Sequence, residues 1–218
     1  MPALKLVIAN KAYSSWSLRP WILLTHFGIA FEEIVVPLAS PETRARLLAY
    51  APTAKAPVLI DGEVTVWESL AIVEYLAERF PHLPIWPRDK APRALARALS
   101  SEMHAGFVAL RQHCPTQFLR PVRKRALTPD VEANVERLEH AWRDARAKHG
   151  AAGPFLFGAF SAADAMFAPV VNRLNICDVP VAADTRDYMD AVRTLPAWDA
   201  WIAGAEAEPW RIAEYDAI

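Results

Sequence analysis

The chain has 218 residues, 53% of them apolar and 22% charged, with a formal net charge of −1. That is globular composition, long enough for one large domain or two small ones. It excludes a disordered chain and argues against a general nucleic-acid binder, leaving room for local basic patches, and no uncharged stretch approaches the roughly 20 residues of a membrane span. Residues 1–10 carry one lysine and too short an apolar run for a signal peptide. Cys114 and Cys177 lie far apart in the sequence and outside any CxxC or metal-ligand spacing, so a reduced cytoplasmic protein without a metal is expected. Neither GxGxxG nor GxxxxGK[ST] occurs, which argues against nucleotide binding.

Residues 4–9, LKLVIA, read as a short buried strand, and the polar loop NKAYSSWS follows. A helix then begins near Leu18, with Ser15 or Ser17 as its cap, Pro20 tolerable only in the first turn, and Gly28 placed to end it. Residues 31–36 form a second strand, and one short helix between two strands implies a parallel βαβ unit. Ser40-Pro41-Glu42 opens a helix that runs to about Tyr50. Next come Val58-Leu59-Ile60, an Asp61-Gly62 turn and a returning strand from Val64 to Trp67. Glu68-Ser69 then starts a helix with the apolar run LAIV. The first 80 residues therefore read β-α-β-α-β-β-α.

Two joints in this part carry candidate chemistry. Pro57 lacks an N–H and belongs on an edge, at a bulge or in a cis turn. Ser69 stands where a helix leaves four N–H groups unpaired, which favours an anion, although Glu68 and Ser69 could equally serve only to cap the helix. Residues 80–89, FPHLPIWPRD, hold three prolines and no period, so they read as a linker. Beyond them the strand signal vanishes. Residues 90–113 read as one long helix stopped by Pro115, 118–126 as a basic solvated loop, and 128–150 as a second long helix. Ser161-Ala162-Ala163-Asp164 is a capping-box pattern, and helices over about 184–194 and 196–206 complete an all-α half whose tryptophans, such as Trp142 and Trp198, fall at core spacing.

Three motifs in this order, AKAPVL, WESLAIVEYL and FSAADAMFAP, around a proline-rich linker, resemble the cytosolic glutathione S-transferase family over nearly the whole chain. The resemblance implies an α/β thioredoxin-like N-terminal domain with cis Pro57 (1–81), a linker (82–89) and an all-α C-terminal domain (90–218). YSSWSLRPWILL is similar to the SSCSxRVRIAL loop of serine-type, zeta-like members, including bacterial ones, with Trp16 in the place of the cysteine. Zeta-type enzymes include maleylacetoacetate isomerases, so isomerisation is one alternative, for which Trp16 predicts poor turnover. A non-catalytic binding or regulatory protein of the same fold is another.

By resemblance the co-substrate is glutathione, conjugated to a small electrophile in detoxification, and the assembly is a homodimer. Glu68 would take the γ-glutamyl ammonium, and Ser69 its carboxylate. Ala56, before Pro57, would pair with the cysteinyl backbone as a strand does, and Lys55 could reach the glycine carboxylate or only solvate the surface. A free thiol titrates near ~8.5, and lowering it by about two units needs roughly 2.7 kcal/mol. One hydroxyl hydrogen bond to a thiolate supplies ~1.5–3 kcal/mol, and a helix N-terminus up to about 1 kcal/mol more. Ser14 is the first candidate donor, Ser15 the second and Tyr13 the third. Tyr13, Trp16, His104, Arg111 and Gln112 are candidates for the electrophile side, and Arg19 for neutralising a substrate carboxylate or bridging the domains.

Overall fold

The structure, a computed structural model, describes residues 4–216; residues 1–3 and 217–218, at the outer ends of the two expected domains, lie outside the described residues. The first half runs β1 (Leu4–Ile8), α1 (Ser15–His26), β2 (Phe31–Val35), α2 (Thr43–Leu48), β3 (Val58–Asp61), β4 (Val64–Trp67) and α3 (Ser69–Arg79). The sheet order is β2-β1-β3-β4, with β1 and β2 parallel and the other pairs antiparallel. Alternation along β1 decides what covers each face. Leu6 and Ile8 point to the side of α1 and α3, where they meet Leu18, Ile22, Ile72 and Leu76. Val7 points the other way, to a small cluster with Val36, Leu47, Ala51 and Val58 beneath α2.

The second half is helical: α4 (Lys90–Ala105), α5 (Val108–His113), α6 (Pro129–His149), α7 (Ala162–Ile176), α8 (Ala183–Arg193), α9 (Pro196–Ala207) and α10 (Ala213–Asp216). Helix α7 is apolar nearly all round and buried along almost its whole length, as a central core helix should be. The same core continues into the first half, because α1 packs on α7 and their apolar residues share one cluster. Trp142 and Trp198 are both core residues.

Four local expectations are corrected. The cap of α1 is Ser14, whose Oγ accepts the Ser17 N–H at 3.3 Å, rather than Ser15 or Ser17. Ser17 is instead fully buried inside the helix and accepts the Ala9 N–H at 3.1 Å, tying the helix to β1. Because the helix starts early, Pro20 falls beyond its first turn, where its missing N–H leaves the Trp16 carbonyl without a helical donor. The long helix expected over 90–113 is broken. Gly106 leaves the helix in extended conformation and Phe107 takes a left-handed φ of 56°, so α5 sets off anew and re-aims Arg111. The helix expected from Ser40 begins only at Thr43. Ser40 and Thr43 bond each other's neighbourhood in a turn first, Thr43 Oγ1 accepting the Ser40 N–H and Ser40 Oγ the Glu42 N–H.

Candidate active site

Two adjoining cavities share the β1–α1 loop and the segment before β3; the smaller is closed by the start of α3, α4 and α5, and the larger by the segment leading into α2. The smaller, about 220 Å3, is lined by Trp16, Thr53, Lys55, Ala56, Pro57, Glu68, Ser69, His104 and Arg111. The larger, about 580 Å3, shares Trp16, Lys55 and Ala56 and adds Tyr13, Ser14 and Ser15 from the loop and Arg44 from α2. Every sequence candidate except Gln112 and Arg19 lines one of them. Gln112 is exposed on α5 outside both linings, and Arg19 is buried behind Trp16.

The floor of the smaller cavity is the joint between β4 and α3. Glu68 is the N-cap by position, with φ 69° and ψ 124°, and its side chain makes no capping hydrogen bond. A non-glycine residue with positive φ carries roughly 1–3 kcal/mol of strain, kept only where the surroundings require it. Ser69 is 1% exposed, and its Oγ is buried without a partner among the described residues. Neither side chain therefore caps the helix. The simple capping role predicted as an alternative for this pair fails on both residues. The Ala56–Pro57 bond is cis.

On the opposite wall His104 Nε2 stands 3.7 Å from a Glu68 carboxylate oxygen. Burial lowers the His104 pKa, the Glu68 charge opposes this, and the Arg19 and Arg111 cations reinforce it, so the imidazole is neutral at pH 7. Its ring meets Trp16 edge-on at 5.2 Å between centroids. The Trp16 indole also carries two cations, with Arg19 Cζ 3.9 Å and Arg111 Cζ 4.8 Å from the ring centroid. Arg19 donates from Nε to the Met166 carbonyl on α7 at 2.9 Å, so it bridges the two halves of the chain. Its Nη1 is buried without a partner among the described residues.

The loop hydroxyls differ in what holds them. Ser14 Oγ and Ser17 Oγ are 2.7 Å apart, and either hydroxyl can be the donor. Ser15 Oγ accepts from Arg173 Nη2 at 3.4 Å. Tyr13 lines the larger cavity, and its hydroxyl is engaged: it accepts the Ile212 N–H at 2.9 Å and donates to the Asp216 carboxylate at 3.1 Å. Burial raises its pKa, so it is a structural clasp on the C-terminal segment, and the Lys11 N–H adds a second clasp on the Glu208 carboxylate at 3.0 Å.

Sequence reading missed Arg173 altogether, because nothing in the spacing of residues 15 and 173 signals their meeting. It also treated Cys114 and Cys177 as unrelated, whereas they sit against each other, fully buried. Cys177, beside Cys114 and the cations of Arg120 and Arg125, is lowered to about 7, and Cys114 is pushed far up. The basic 118–126 stretch is not merely solvated. Its Arg123 and Arg125 amides bond the Ile176 and Cys177 carbonyls and pin it to the end of α7. Among the described residues no cluster of His, Cys, Asp or Glu is suited to a metal, and no helix is long and apolar enough to cross a membrane.

Residues 13–79 match the family model for the glutathione S-transferase N-terminal domain, and residues 121–204 that for the C-terminal domain. Together these take in well over half of the sequence, in the order of the two halves of the fold. The chain belongs to the glutathione S-transferase family. It is 41% identical over 98 residues to a probable maleylacetoacetate isomerase of Caenorhabditis elegans, covering 44% of this chain and 45% of that protein. It is 36% identical over 92 residues to Glutathione S-transferase 1 of Dianthus caryophyllus, covering 42% of each. The matched segments thus span less than half the length of these relatives. Among solved structures, a glutathione transferase homolog from Burkholderia gl BGR1 with bound glutathione superposes with a TM-score of 0.73 at 24% identity, over 94% of this chain and 100% of that one, which shows the shared fold.

Proposed function

We propose that the protein is a glutathione transferase that binds glutathione in the paired cavities and activates its thiol with a serine hydroxyl of the β1–α1 loop. The observation that carries this reading is the Ser69 hydroxyl, buried and unpartnered at the N-terminus of an 11-residue helix whose first residue lines the smaller cavity. A polar atom kept dry without a partner costs about 1–3 kcal/mol, and an incoming anion removes that cost. The γ-glutamyl carboxylate takes Ser69 and the α3 N–H groups, and its ammonium takes Glu68. The cysteinyl backbone lies along Ala56, the glycine carboxylate reaches Lys55, and the sulfur comes to the loop of Ser14 and Ser15.

Activation is then electrostatic. When Ser17 donates to Ser14, the Ser14 proton is free for the sulfur, and that bond to a thiolate is worth ~1.5–3 kcal/mol. Trp16, His104 and Arg111 shape the electrophile side. A two-fold dimer, a cytoplasmic location and domain limits of 1–81 and 90–218 go with the same reading.

Immobilised glutathione should retain the protein, and a chlorinated aromatic or an isothiocyanate should be turned over. Ser14→Ala should raise the thiol pKa of bound glutathione while leaving affinity within a few-fold. An unmoved pKa would take Ser14 out of the activation, and no retention at all would sink the enzyme reading. Isomerisation is the second reading, favoured by the identity to the nematode protein, and maleylacetoacetate turnover tests it. Trp16, standing where zeta-like loops carry cysteine, predicts that this activity is weak.

A further inference from the structure

Three guanidinium groups, Arg19, Arg111 and Arg173, converge behind the β1–α1 loop, and no ion pair to a carboxylate is found for any of them among the described residues. Arg19 and Arg173 are buried, at 2% and 7% exposure. Desolvating an unpaired cation is costly, so such a cluster persists where something else compensates it. Arg173 is the best anchored. From α7 its Nη1 donates to the Arg111 carbonyl at 2.8 Å and to the Cys114 carbonyl at 2.7 Å, which fixes the plane of the guanidinium. Its Nη2 is left to face Ser15 Oγ at 3.4 Å. Ser15 lines the larger cavity, and its own hydroxyl proton has no acceptor among the described residues.

We propose that Arg173 is a positioning residue for thiol activation: it occupies a lone pair of Ser15 Oγ, turns the Ser15 proton into the cavity toward the glutathione sulfur, and stands behind it as a fixed positive charge. The proposal rests on the glutathione reading above and adds to it a second donor, charged from the helical half of the fold. A serine whose oxygen accepts from a cation donates a stronger hydrogen bond, and the sulfur gains a full charge within the ~4–6 Å range where an opposite charge shifts titration. The groups around Arg173 do not cancel that charge. Arg111 adds to it, and among the described residues the opposing groups are Cys177 and Cys114, the latter held as a neutral thiol. Burial and Arg111 lower the Arg173 pKa to about 10, which still leaves the guanidinium protonated at pH 7.

The test is the thiol pKa of enzyme-bound glutathione, followed by ultraviolet thiolate absorbance across pH. Arg173→Met should raise it by about one unit, a tenfold loss of thiolate below that pKa, and Arg173→Lys should recover part of the shift. Ser15→Ala should give a similar rise, and Arg173→Met added to Ser15→Ala should add little further, because the two act through one contact. A solely structural Arg173 would lower the melting temperature and leave the thiol pKa where it was, and that result overturns the proposal. Should Arg173→Met not fold, Ser15→Ala decides, since an unmoved pKa there removes the arm through which Arg173 acts. Failure of the unsubstituted protein to bind glutathione would be a different result, against the glutathione reading itself.

Discussion

Replacing Asp164 by alanine should lower the unfolding free energy by on the order of 4 kcal/mol, read by urea or guanidinium denaturation. Asp164 is fully buried at the start of α7 and accepts from the Leu156 N–H at 3.1 Å, the Ser161 N–H at 2.8 Å and the Ser161 hydroxyl at 3.0 Å. Its loss strands two backbone N–H groups in the core, at about 1–3 kcal/mol each, before the lost cap is counted. A cost below about 1 kcal/mol would mean that water or a neighbour replaces the carboxylate. The same group leaves a pH signature. Burial outweighs its hydrogen bonds and raises its pKa to about 6, above the ~3.9 of an unfolded aspartate. The native state therefore holds this proton more tightly than the unfolded chain. The stabilisation is fully present below about pH 4 and is lost as pH rises through about 6. Relative to Asp164→Asn, which cannot titrate, the unsubstituted protein should lose on the order of 3 kcal/mol across that window. A gain instead would show that the hydrogen bonds dominate.

Ser69→Ala should weaken glutathione binding by about 10- to 100-fold, the worth of one hydrogen bond to a charged group. It should raise the stability of the free protein by about 1–3 kcal/mol, because it removes a buried hydroxyl that has no partner there. Calorimetric titration and thermal melting separate the two effects. The reverse outcome, reduced stability with unchanged affinity, would return Ser69 to a plain helix cap. Glu68, strained at φ 69° and uninvolved in capping, is proposed for the same grip.

The sheet was legible because its signals are local. The Asp61-Gly62 turn fixes β3 against β4, and a single short helix between β1 and β2 forces them parallel. The Glu68-Ser69 joint was legible as a place, but the spacing alone could not show that neither side chain makes a capping bond, since a cap and an anion site use the same residues at the same spacing. The break at Gly106–Phe107 was not legible. Leu95, Leu99, Met103, Phe107 and Leu110 keep helical intervals straight through it, and tertiary packing of α5 on α6 overrides them. The pairing of Ser15 with Arg173, and of Cys114 with Cys177, depends on how α7 lies against the loop and α5. Periodicity holds no record of contacts between such distant segments.

The clasp of the β1–α1 loop on the C-terminal segment, through Tyr13, Lys11 and Glu208, has a thermodynamic corollary. The loop that lines the larger cavity is tied by these hydrogen bonds to the segment from Glu208 to Asp216. Whatever free energy the closed tail lends to ligand binding, the bound ligand must return to the tail in equal measure. Amide exchange at Ile212, whose N–H is held by Tyr13, should therefore slow when the cavity fills. The last turn of the chain would act as a remote gauge of occupancy, readable without touching the thiol.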